Sequence, residues 1–555
     1  MSQIEIRDVS FTYPSRSEPS LKRVNAEVEC GEFILLTGPT GCGKSTLLRT
    51  LNGLIPHASG GVLSGNVAID DTNLADQSLA VICQHVGLLF QNPDDQFFCT
   101  VVEDELAFGL ENLGIPPFQI DARIDVALTQ VKLSSEFRGR AISTLSGGEK
   151  QRIALACLCA MQPRVLLLDE PTSHLDLTST RDILEILRQL NRQNGITMVI
   201  AAHRVSEIAP LCDRVWLMSR AEIALDSPVN RAFSDLSPYR KLGVEVPELA
   251  EISEQMGLPE RPLTVDQAAR LFLHSERYPN LSAPTSDVSN FVSHEQPHQD
   301  SRNLLASVEN LTFQYPRTET LALTEVSFEI GEGEVTAIMG ANGSGKTTLL
   351  LSILGLLRPT EGQILITDLG RKRPKLRSLA GKIGIVFQDP DLLLQAETVN
   401  DEVAFGPKNL KLSRSEIQDR TKEVMSAFDL DNLGNEAPYS LSRGQRQRTA
   451  TAAAYSLLPA ILLLDEPTAG QDFSHLRQLM GVLCDTVERQ NKTLIFCTHD
   501  AQLTLQYAKR VLLLRQGELI FDGRPSEAFA NSDLLKHASL IAPPKTQLKW
   551  RLANN

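Results

Sequence analysis

Two glycine-rich segments have the residue types and spacing of phosphate-binding loops. They are Gly38-Pro39-Thr40-Gly41-Cys42-Gly43-Lys44-Ser45-Thr46 and Gly340-Ala341-Asn342-Gly343-Ser344-Gly345-Lys346-Thr347-Thr348, and each follows an apolar run. The glycines let consecutive backbone N–H groups face phosphate oxygens, and a following helix adds its positive N-terminal dipole. We expect Lys44 and Lys346 to reach the outer phosphates, and Ser45 and Thr347 to supply hydroxyls to Mg²⁺. The sequence therefore predicts strand, glycine loop and helix, twice.

Two further apolar runs end in paired carboxylates. They are Val165-Leu166-Leu167-Leu168-Asp169-Glu170 and Ile461-Leu462-Leu463-Leu464-Asp465-Glu466. A continuous apolar run is typical of a buried parallel strand, which would hold the acids at its carboxyl end. We expect Asp169 and Asp465 to bind Mg²⁺ directly or through its water. Glu170 and Glu466 would then polarise the attacking water as general bases, which predicts two sites of ATP hydrolysis.

Each copy also has a serine-glycine segment ahead of an alanine-rich helical stretch. The segments are Leu145-Ser146-Gly147-Gly148-Glu149-Lys150-Gln151-Arg152 and Leu441-Ser442-Arg443-Gly444-Gln445-Arg446-Gln447-Arg448. With these segments in place, the chain resembles the ABC ATPase family. The resemblance implies that the serine and glycines bind the γ-phosphate held by the P-loop of the opposite domain. The expected composite sites pair Lys44 with Ser442, and Lys346 with Ser146, within one chain.

The same resemblance assigns roles to three more pairs of residues. Histidines that follow β-rich runs would contact the γ-phosphate and orient the attack, and these are His203 and His499. Glutamines that would link Mg²⁺ and the attacking water to a transport partner are Gln91 and Gln388. Tyrosines that resemble the adenine-stacking aromatic are Tyr13 and Tyr315, for which capping the core is the alternative role.

The duplication predicts an α/β chain with two P-loop NTPase (ABC ATPase) domains in tandem. Each is expected to have a RecA-like core, a β subdomain and a helical signature subdomain. The predicted divisions are a first domain over 1–242, a linker over 243–303, a second domain over 304–540 and a tail over 541–555. The linker pattern is partly helical, then flexible, and acidic overall.

Composition limits the classes of partner. The net charge of −14 and a pI near 5.3 argue against a broad nucleic-acid surface. Nine cysteines without regular spacing predict neither a disulfide framework nor a zinc site. We find no apolar run long enough to span a bilayer and no signal peptide pattern. The chain is expected to act as a peripheral protein on the cytoplasmic face of the cell membrane.

The stretch that follows each glutamine resembles the energy-coupling factor (ECF) branch of ABC transporters, which import vitamins and metal ions. The first copy has Asn92-Pro93-Asp94-Asp95 and then an acidic segment over 101–112, whereas the second has Asp389-Pro390-Asp391-Leu392. The resemblance implies an arginine-bearing coupling helix on an integral membrane subunit, beside a separate substrate-binding membrane subunit. Asp94, Asp95 and Asp391 are the expected contacts for the guanidinium, and in the second copy Leu392 replaces the second acid.

Two other functions remain open at this stage. One is a conventional ABC importer that uses a periplasmic binding protein, and the other is a soluble twin-cassette ATPase acting on ribosomes. The ribosomal class usually has a long charged helical linker, whereas this linker ends flexible and acidic.

The two copies also depart from each other. Arg443 replaces a usual glycine, so the Lys44/Ser442 site is either slower or gains an arginine contact. The D-loops are Ser173-His174-Leu175-Asp176 and Ala469-Gly470-Gln471-Asp472, the second of which lacks the leucine. Since both Glu170 and Glu466 are present, we expect both sites to hydrolyse ATP.

Overall fold

The computed structural model describes residues 2–14, 17–173, 175–273, 303–316, 318, 320–367, 379, 381–468 and 472–553. It divides into two compact units, Met1–Ala268 (unit 1) and Ala269–Asn555 (unit 2). The flexible part of the predicted linker, most of the second D-loop and His174 lie outside the described residues.

Unit 1 is built on a six-stranded sheet in the order β10-β9-β3-β8-β7-β6, in which only β10 is antiparallel to its neighbour. These strands are β3 (Phe33–Thr37), β6 (Val86–Leu89), β7 (Val165–Asp169), β8 (Thr197–Ala201), β9 (Arg214–Ser219) and β10 (Glu222–Pro228). Along β3, Phe33 and Leu35 pack into one apolar cluster, whereas Ile34 and Leu36 pack into another. The strand is therefore covered on both faces, which explains its unbroken apolar sequence.

A second, antiparallel sheet in the order β2-β1-β4-β5 covers one face of this core. Its strands are β1 (Ser2–Thr12), β2 (Leu21–Glu29), β4 (Val62–Ile69) and β5 (Thr72–Asn73). Alternate residues of β2 are buried, as the period of a half-buried strand requires. This sheet is the predicted β subdomain.

The helices of unit 1 complete both layers. They are Lys44–Leu51, Leu54–His57, Leu79–His85, Val102–Asn112, Pro117–Gln130, Gly147–Ala160, Leu177–Asn194, Val205–Ile208, Val229–Ala232, Ser237–Lys241, Glu248–Gln255 and Val265–Leu273. Val102–Asn112, Pro117–Gln130 and Gly147–Ala160 pack together as the predicted helical subdomain. Arg138 ties this subdomain together through Glu103 at 2.8 Å, Asp121 at 2.6 Å and Asp125 at 3.3 Å.

Unit 2 repeats this design. Its sheets have the orders β15-β16-β17-β13-β18-β19 and β12-β11-β14, formed by β11 (Leu304–Gln314), β12 (Leu321–Gly331), β13 (Val335–Met339), β14 (Glu361–Ile366), β15 (Ile383–Val386), β16 (Ile461–Asp465), β17 (Thr493–Thr498), β18 (Arg510–Arg515) and β19 (Glu518–Gly523). Its helices are Lys346–Ile353, Val399–Asn409, Arg414–Ala427, Arg443–Tyr455, Phe473–Gln490, Ala501–Tyr507, Pro525–Ala530, Ser532–His537 and Pro544–Ala553. The tandem α/β fold predicted from the motifs is confirmed in both units.

Arg138 and its ion pairs, the cationic hub of the helical subdomain in unit 1, are replaced at the equivalent position of unit 2. The backbone N–H of Glu103 donates to the carbonyl of Arg138, and the backbone N–H of Asn400 donates in the same way to Gly434, both at 3.0 Å. Asn400 and Gly434 therefore stand where unit 1 has a charged pair. The second helical subdomain lacks this cationic hub at the equivalent position.

Buried apolar residues also occur past both predicted domain ends. Val244 and Ala250 are buried in the core of unit 1, beyond the boundary expected at 242. Leu548 and Leu552 are buried on the helix Pro544–Ala553, within the expected tail. These residues bury apolar surface beyond the predicted domain ends, and the division into domains, linker and tail stays a prediction.

Two further features outside the site are the cysteines and the apolar character of the helices. All nine cysteines lie in described positions and are free thiols. Within the described ranges, no helix combines the length and apolar character needed to cross a membrane.

Candidate functional site

The candidate residues of unit 1 follow four adjacent parallel strands. The P-loop follows β3, His203 follows β8, Asp169 ends β7, and Gln91 follows β6. Because the carboxyl ends of parallel strands lie at one edge of a sheet, these residues are brought together there. Unit 2 repeats the arrangement along β13, β17, β16 and β15.

Both P-loops require glycine immediately before the lysine. Gly43 has φ 110°, and a Cβ added there would lie 2.5 Å from the carbonyl oxygen of Ser20. Gly345 has φ 102°, and its added Cβ would lie 2.6 Å from the carbonyl oxygen of Ala322. The left-handed backbone and the close neighbouring carbonyl thus both exclude a side chain.

Each P-loop lysine is buried within its own loop. Lys44 Nζ donates to the carbonyl oxygens of Gly38 at 2.9 Å and Pro39 at 3.2 Å. Lys346 Nζ makes the corresponding bonds at 2.8 Å and 3.2 Å, to Gly340 and Ala341. The ammonium groups therefore lie within the glycine loops, and their contact with phosphates stays a prediction.

The residues expected to hold Mg²⁺ are in contact in both units. Ser45 Oγ donates to Asp169 Oδ1 at 3.0 Å, and Thr347 Oγ1 donates to Asp465 Oδ2 at 2.8 Å. Burial raises the pKa of both aspartates, and the hydroxyl hydrogen bond opposes part of that rise. A hydroxyl beside a buried carboxylate is the hard oxygen donor set that Mg²⁺ prefers, so these residues fit the ion.

Glu170 is held by the two polar residues assigned to the same reaction. Gln91 Nε2 donates to Glu170 Oε2 at 2.9 Å, and His203 Nε2 lies 2.9 Å from Glu170 Oε1. The backbone of Glu170 has φ 48°, a left-handed conformation that is uncommon for a residue with a side chain. Other non-glycine residues outside the site, such as Asp8 and Lys132, share this conformation, so the catalytic role of Glu170 stays a prediction.

The centre of unit 2 has the same backbone but a different set of contacts. Glu466 has φ 49°, and its Oε2 lies 3.1 Å from His499 Nδ1. Lys346 Nζ lies 3.9 Å from Glu466 Oε1. Gln388 is exposed and, among the described residues, makes no hydrogen bond to Glu466. The two catalytic centres are therefore equivalent in composition and unequal in geometry.

The serine of each signature segment caps a helix. Ser146 Oγ accepts from the backbone N–H of Glu149 at 3.3 Å, and Glu149 Oε2 accepts from the N–H of Ser146 at 2.7 Å. Ser442 and Gln445 form the same capping box, with distances of 3.4 Å and 3.0 Å. Arg443 occupies the first helical position without disrupting it. Gly148 and Gly444 are buried, whereas Ser146, Gly147 and Ser442 are exposed.

With this geometry established, comparison with known proteins identifies the family. The profile described as ABC transporter matches residues 21–173 and 323–469, which include both P-loops and both acid pairs. The chain belongs to the ABC transporter family. Its two cassettes are ATPase domains, and they bind ATP.

Relatives of this ABC protein match along nearly its whole length. A "Putative ABC transporter ATP-binding protein" of Methanosarcina mazei is 42% identical, over 98% of this chain and 93% of that protein. The "Putative HMP/thiamine import ATP-binding protein YkoD" of Bacillus subtilis is 33% identical, over 97% and 95%. A solved structure of cbiO1 from Clostridium perfringens, described as part of the ABC transporter complex cbiONQ, is 34% identical. That match covers 44% of this chain and 99% of that one, with a TM-score of 0.39.

The two candidate adenine-stacking tyrosines lie beside the P-loop helices of the ABC cassettes. Tyr13 OH lies 3.4 Å from Thr46 Oγ1, and Tyr315 OH lies 3.1 Å from Thr348 Oγ1. Both rings also pack edge to face against a phenylalanine, Phe11 or Phe313. Their position suits either an adenine contact or a capping role, so stacking on the base stays a prediction.

The three acids expected to meet a partner already have partners of their own. Asp94 Oδ1 accepts from Lys150 Nζ at 2.7 Å, and Asp391 accepts from Arg446 Nη1 at 2.8 Å and 2.6 Å. Asp95 Oδ1 accepts from Asn92 Nδ2 at 3.1 Å. Sequence reasoning missed both ion pairs, although a basic residue at the same position of both signature helices was a usable signal.

Glu245 lies beyond the nucleotide-binding motifs of unit 1 and contacts the short helix that follows His203. Ser206, on the helix that follows His203, donates its hydroxyl to Glu245 Oε1 at 2.5 Å. Burial raises the pKa of Glu245 to about 7, with Glu207 adding to the rise, and the Ser206 hydroxyl and Arg204 opposing it. The motif search gave no indication of this residue, because it lies outside every nucleotide-binding pattern.

Replacing Glu245 with glutamine is expected to change how stability depends on pH. A raised pKa means that the folded chain keeps this proton while the unfolded chain releases it, between the usual glutamate pKa and about 7. The associated stability is present at low pH and lost as pH rises through that interval. Thermal unfolding should therefore show Glu245→Gln gaining several degrees over the unmodified chain between about pH 5 and pH 8. A stability difference that stays constant with pH would contradict the assignment.

Proposed function

We propose that this chain is the ATP-hydrolysing energy-coupling subunit of an ECF-type importer, which takes up a vitamin or a transition-metal ion. It would act at the cytoplasmic face of the membrane. The observation that carries the proposal is that, in unit 1, a few residues connect Glu170 with the protein surface. Gln91 holds Glu170, and the exposed acids Asp94 and Asp95 follow on the turn Pro93–Asp95. The import role in the printed name of the Bacillus subtilis relative supports the same class.

The two cassettes would close on two ATP molecules as composite sites. In this proposal Lys44 binds the phosphates of one ATP and Ser442 completes its site, while Lys346 and Ser146 serve the other. A helix N-terminus is a natural site for an anion, and Ser146 and Ser442 lie exposed at the N-termini of the two signature helices. ATP then joins the cassettes and hydrolysis releases them.

Each catalytic centre would use its own acid pair. When bound, Mg²⁺ neutralises charge on the phosphates, and Ser45 with Asp169 would hold it in unit 1, as Thr347 with Asp465 would in unit 2. Glu170 would accept a proton from the attacking water, while His203 orients the γ-phosphate. Gln91 contacts Glu170 and lies three residues before Asp94. A change of position or protonation at Glu170 would therefore be transmitted through Gln91 to the turn that bears Asp94 and Asp95.

The partner surfaces of the two units would differ in charge. No cation is paired with Asp95 among the described residues, so an arginine of a membrane subunit would complement it. In unit 2, Asp391 is already engaged by both oxygens with Arg446, and the next residue is Leu392, which is 69% exposed. The guanidinium contact therefore has stronger support at Asp95 than at Asp94 or Asp391, each of which is already paired with a cation.

The proposal is tested by affinity purification of the tagged full chain from gently detergent-solubilised cells, with mass spectrometry of the recovered proteins. We expect a polytopic membrane subunit with arginine motifs, together with a second hydrophobic subunit that binds the substrate. Asp95→Asn should lower their recovery at least about fivefold, since a charge-assisted hydrogen bond is lost.

A matched control is available on another turn of the same unit. Asp76 is also an exposed acid that ends a three-residue turn, Leu74–Asp76. Asp76→Asn should leave membrane-subunit recovery unchanged. Recovery of ribosomal proteins without a membrane subunit would contradict the transporter function, and recovery with a periplasmic binding protein system would indicate a conventional importer.

A further inference from the structure

We propose that Lys150 and Arg446 are positioning residues that fix the glutamine loop of each cassette to its signature helix. Neither residue is placed at the nucleotide. Each lies in the first turn of a signature helix and forms an ion pair with the acid that follows the catalytic glutamine by three residues.

The same link is formed twice with different chemistry. Lys150 meets Asp94 through one contact of 2.7 Å, whereas Arg446 binds Asp391 through two contacts of 2.8 Å and 2.6 Å. Since the lysine is replaced by arginine and the contact persists, the connection does not depend on one side chain geometry. The two units thus act as independent examples of one arrangement.

A neighbouring residue of the helix reaches the same loop. Gln447 Nε2 donates to the carbonyl oxygen of Phe387 at 3.4 Å, directly before Gln388. In unit 1, the equivalent Gln151 is only 2% exposed. In unit 2, the consecutive residues Arg446 and Gln447 therefore hold the loop from which Gln388 projects, whereas Gln151 Nε2 of unit 1 has no hydrogen-bond partner among the described residues.

The location of the two cations is unfavourable for helix stability. A positive charge in the first turn opposes the helix dipole, which favours acids at that end. The acids Asp94 and Asp391 are 56% and 52% exposed, and ion pairs so open to solvent contribute little to folding. A purely stabilising role therefore accounts poorly for these pairs, whereas a role in alignment accounts for them directly.

Alignment of each signature helix with its glutamine would matter because the two act at different steps. The helix is proposed to bind ATP, whereas the glutamine is proposed to act during attack by water. The helix N-terminus presents Ser146 or Ser442, and the glutamine loop presents Gln91 or Gln388. When the ion pair holds them as one body, movement of the signature helix changes the position of the glutamine, which in unit 1 contacts Glu170 and in unit 2 is exposed. Without the pair, ATP binds normally but Gln91 is less well aligned with Glu170.

The test is steady-state ATP hydrolysis by the purified full chain without membrane partners. The double variant Lys150→Met/Arg446→Met should lower kcat about fivefold to tenfold, with KM for ATP within about twofold. The exchanges Lys150→Arg and Arg446→Lys should retain most of kcat, because unit 2 and unit 1 already use those residues. The reversed pair Asp94→Lys/Lys150→Asp should recover more activity than Lys150→Asp alone.

Lys132 supplies the matched control. It forms a 2.8 Å ion pair with Glu185 on the surface of unit 1, away from the nucleotide motifs, and Lys132→Met should leave kcat unchanged. An unchanged kcat in the double variant would overturn the proposal, and so would a rise in KM at constant kcat, which would place the cations at ATP. If the methionine variants do not fold, the reversed pair decides: no gain over Lys150→Asp also overturns it. None of these outcomes depends on whether the membrane partner is of the ECF type.

Discussion

Replacing Glu170 and Glu466 together with glutamine is expected to lower ATP hydrolysis at least about 100-fold, because general-base catalysis contributes at least that factor. Each single replacement should leave substantial activity, since each unit has its own lysine, magnesium ligands, glutamate and histidine. Glutamine keeps the size of the side chain and one acceptor oxygen but cannot accept the proton. The measurement is phosphate release at saturating ATP and Mg²⁺ by the three variants.

Glu185→Gln provides the control, because Glu185 is an exposed acid of unit 1 whose partner is Lys132. It should hydrolyse ATP at the unmodified rate. Complete loss from one single replacement and none from the other would show that only one site works. Such a result would link activity to the structural difference between the two centres. Gln91 contacts Glu170 in unit 1, whereas Gln388 is exposed in unit 2.

The second large effect is expected at the P-loop lysines. Lys44→Ala or Lys346→Ala should weaken ATP binding at one of two sites by about 10-fold to 100-fold, because each removes charge-assisted hydrogen bonds to phosphate. The double variant should lose both sites. Each ammonium is almost fully buried against its own loop, so water does not readily replace it. Calorimetric titration with ATP would count the sites and give their affinities.

Lys22→Ala is a suitable control for that titration. Lys22 forms a 3.0 Å surface pair with Glu222 in unit 1 and is 57% exposed, so its loss should leave both ATP sites intact. Two sites of unmodified affinity in Lys44→Ala would contradict the assigned contact. A variant that loses both sites after one substitution would show that binding at the two cassettes is coupled.

The sequence was sufficient for the fold of each unit and for most of the composition of the site. The P-loop lysines, the acid pairs and the histidines are recognisable because phosphate and Mg²⁺ chemistry demands particular residues at fixed places after buried strands. Their meeting at one edge of the sheet follows from parallel strand order alone. Lys44, Asp169 and His203 therefore needed no tertiary information.

Other features required coordinates. The left-handed backbone at Glu170 and Glu466 depends on how each strand end is held, and glutamate has no preference for that conformation. The Lys150–Asp94 pair joins residues far apart in sequence, which no local pattern indicates. Whether Val244 and Leu548 belong to the folded units depends on whether their side chains are buried. The periodicity of the sequence does not show burial by distant residues.

Because the two helical subdomains differ, it matters how the cell produces the two cassettes. Unit 1 has the Arg138 hub and Asp95, whereas unit 2 has Gly434 and Leu392 in their places. Cassettes translated from separate messages would vary in dosage, and either kind would be free to dimerise with itself. Translation as one polypeptide fixes their ratio at one to one, so mutations that specialise one copy are always inherited and expressed beside the unspecialised other.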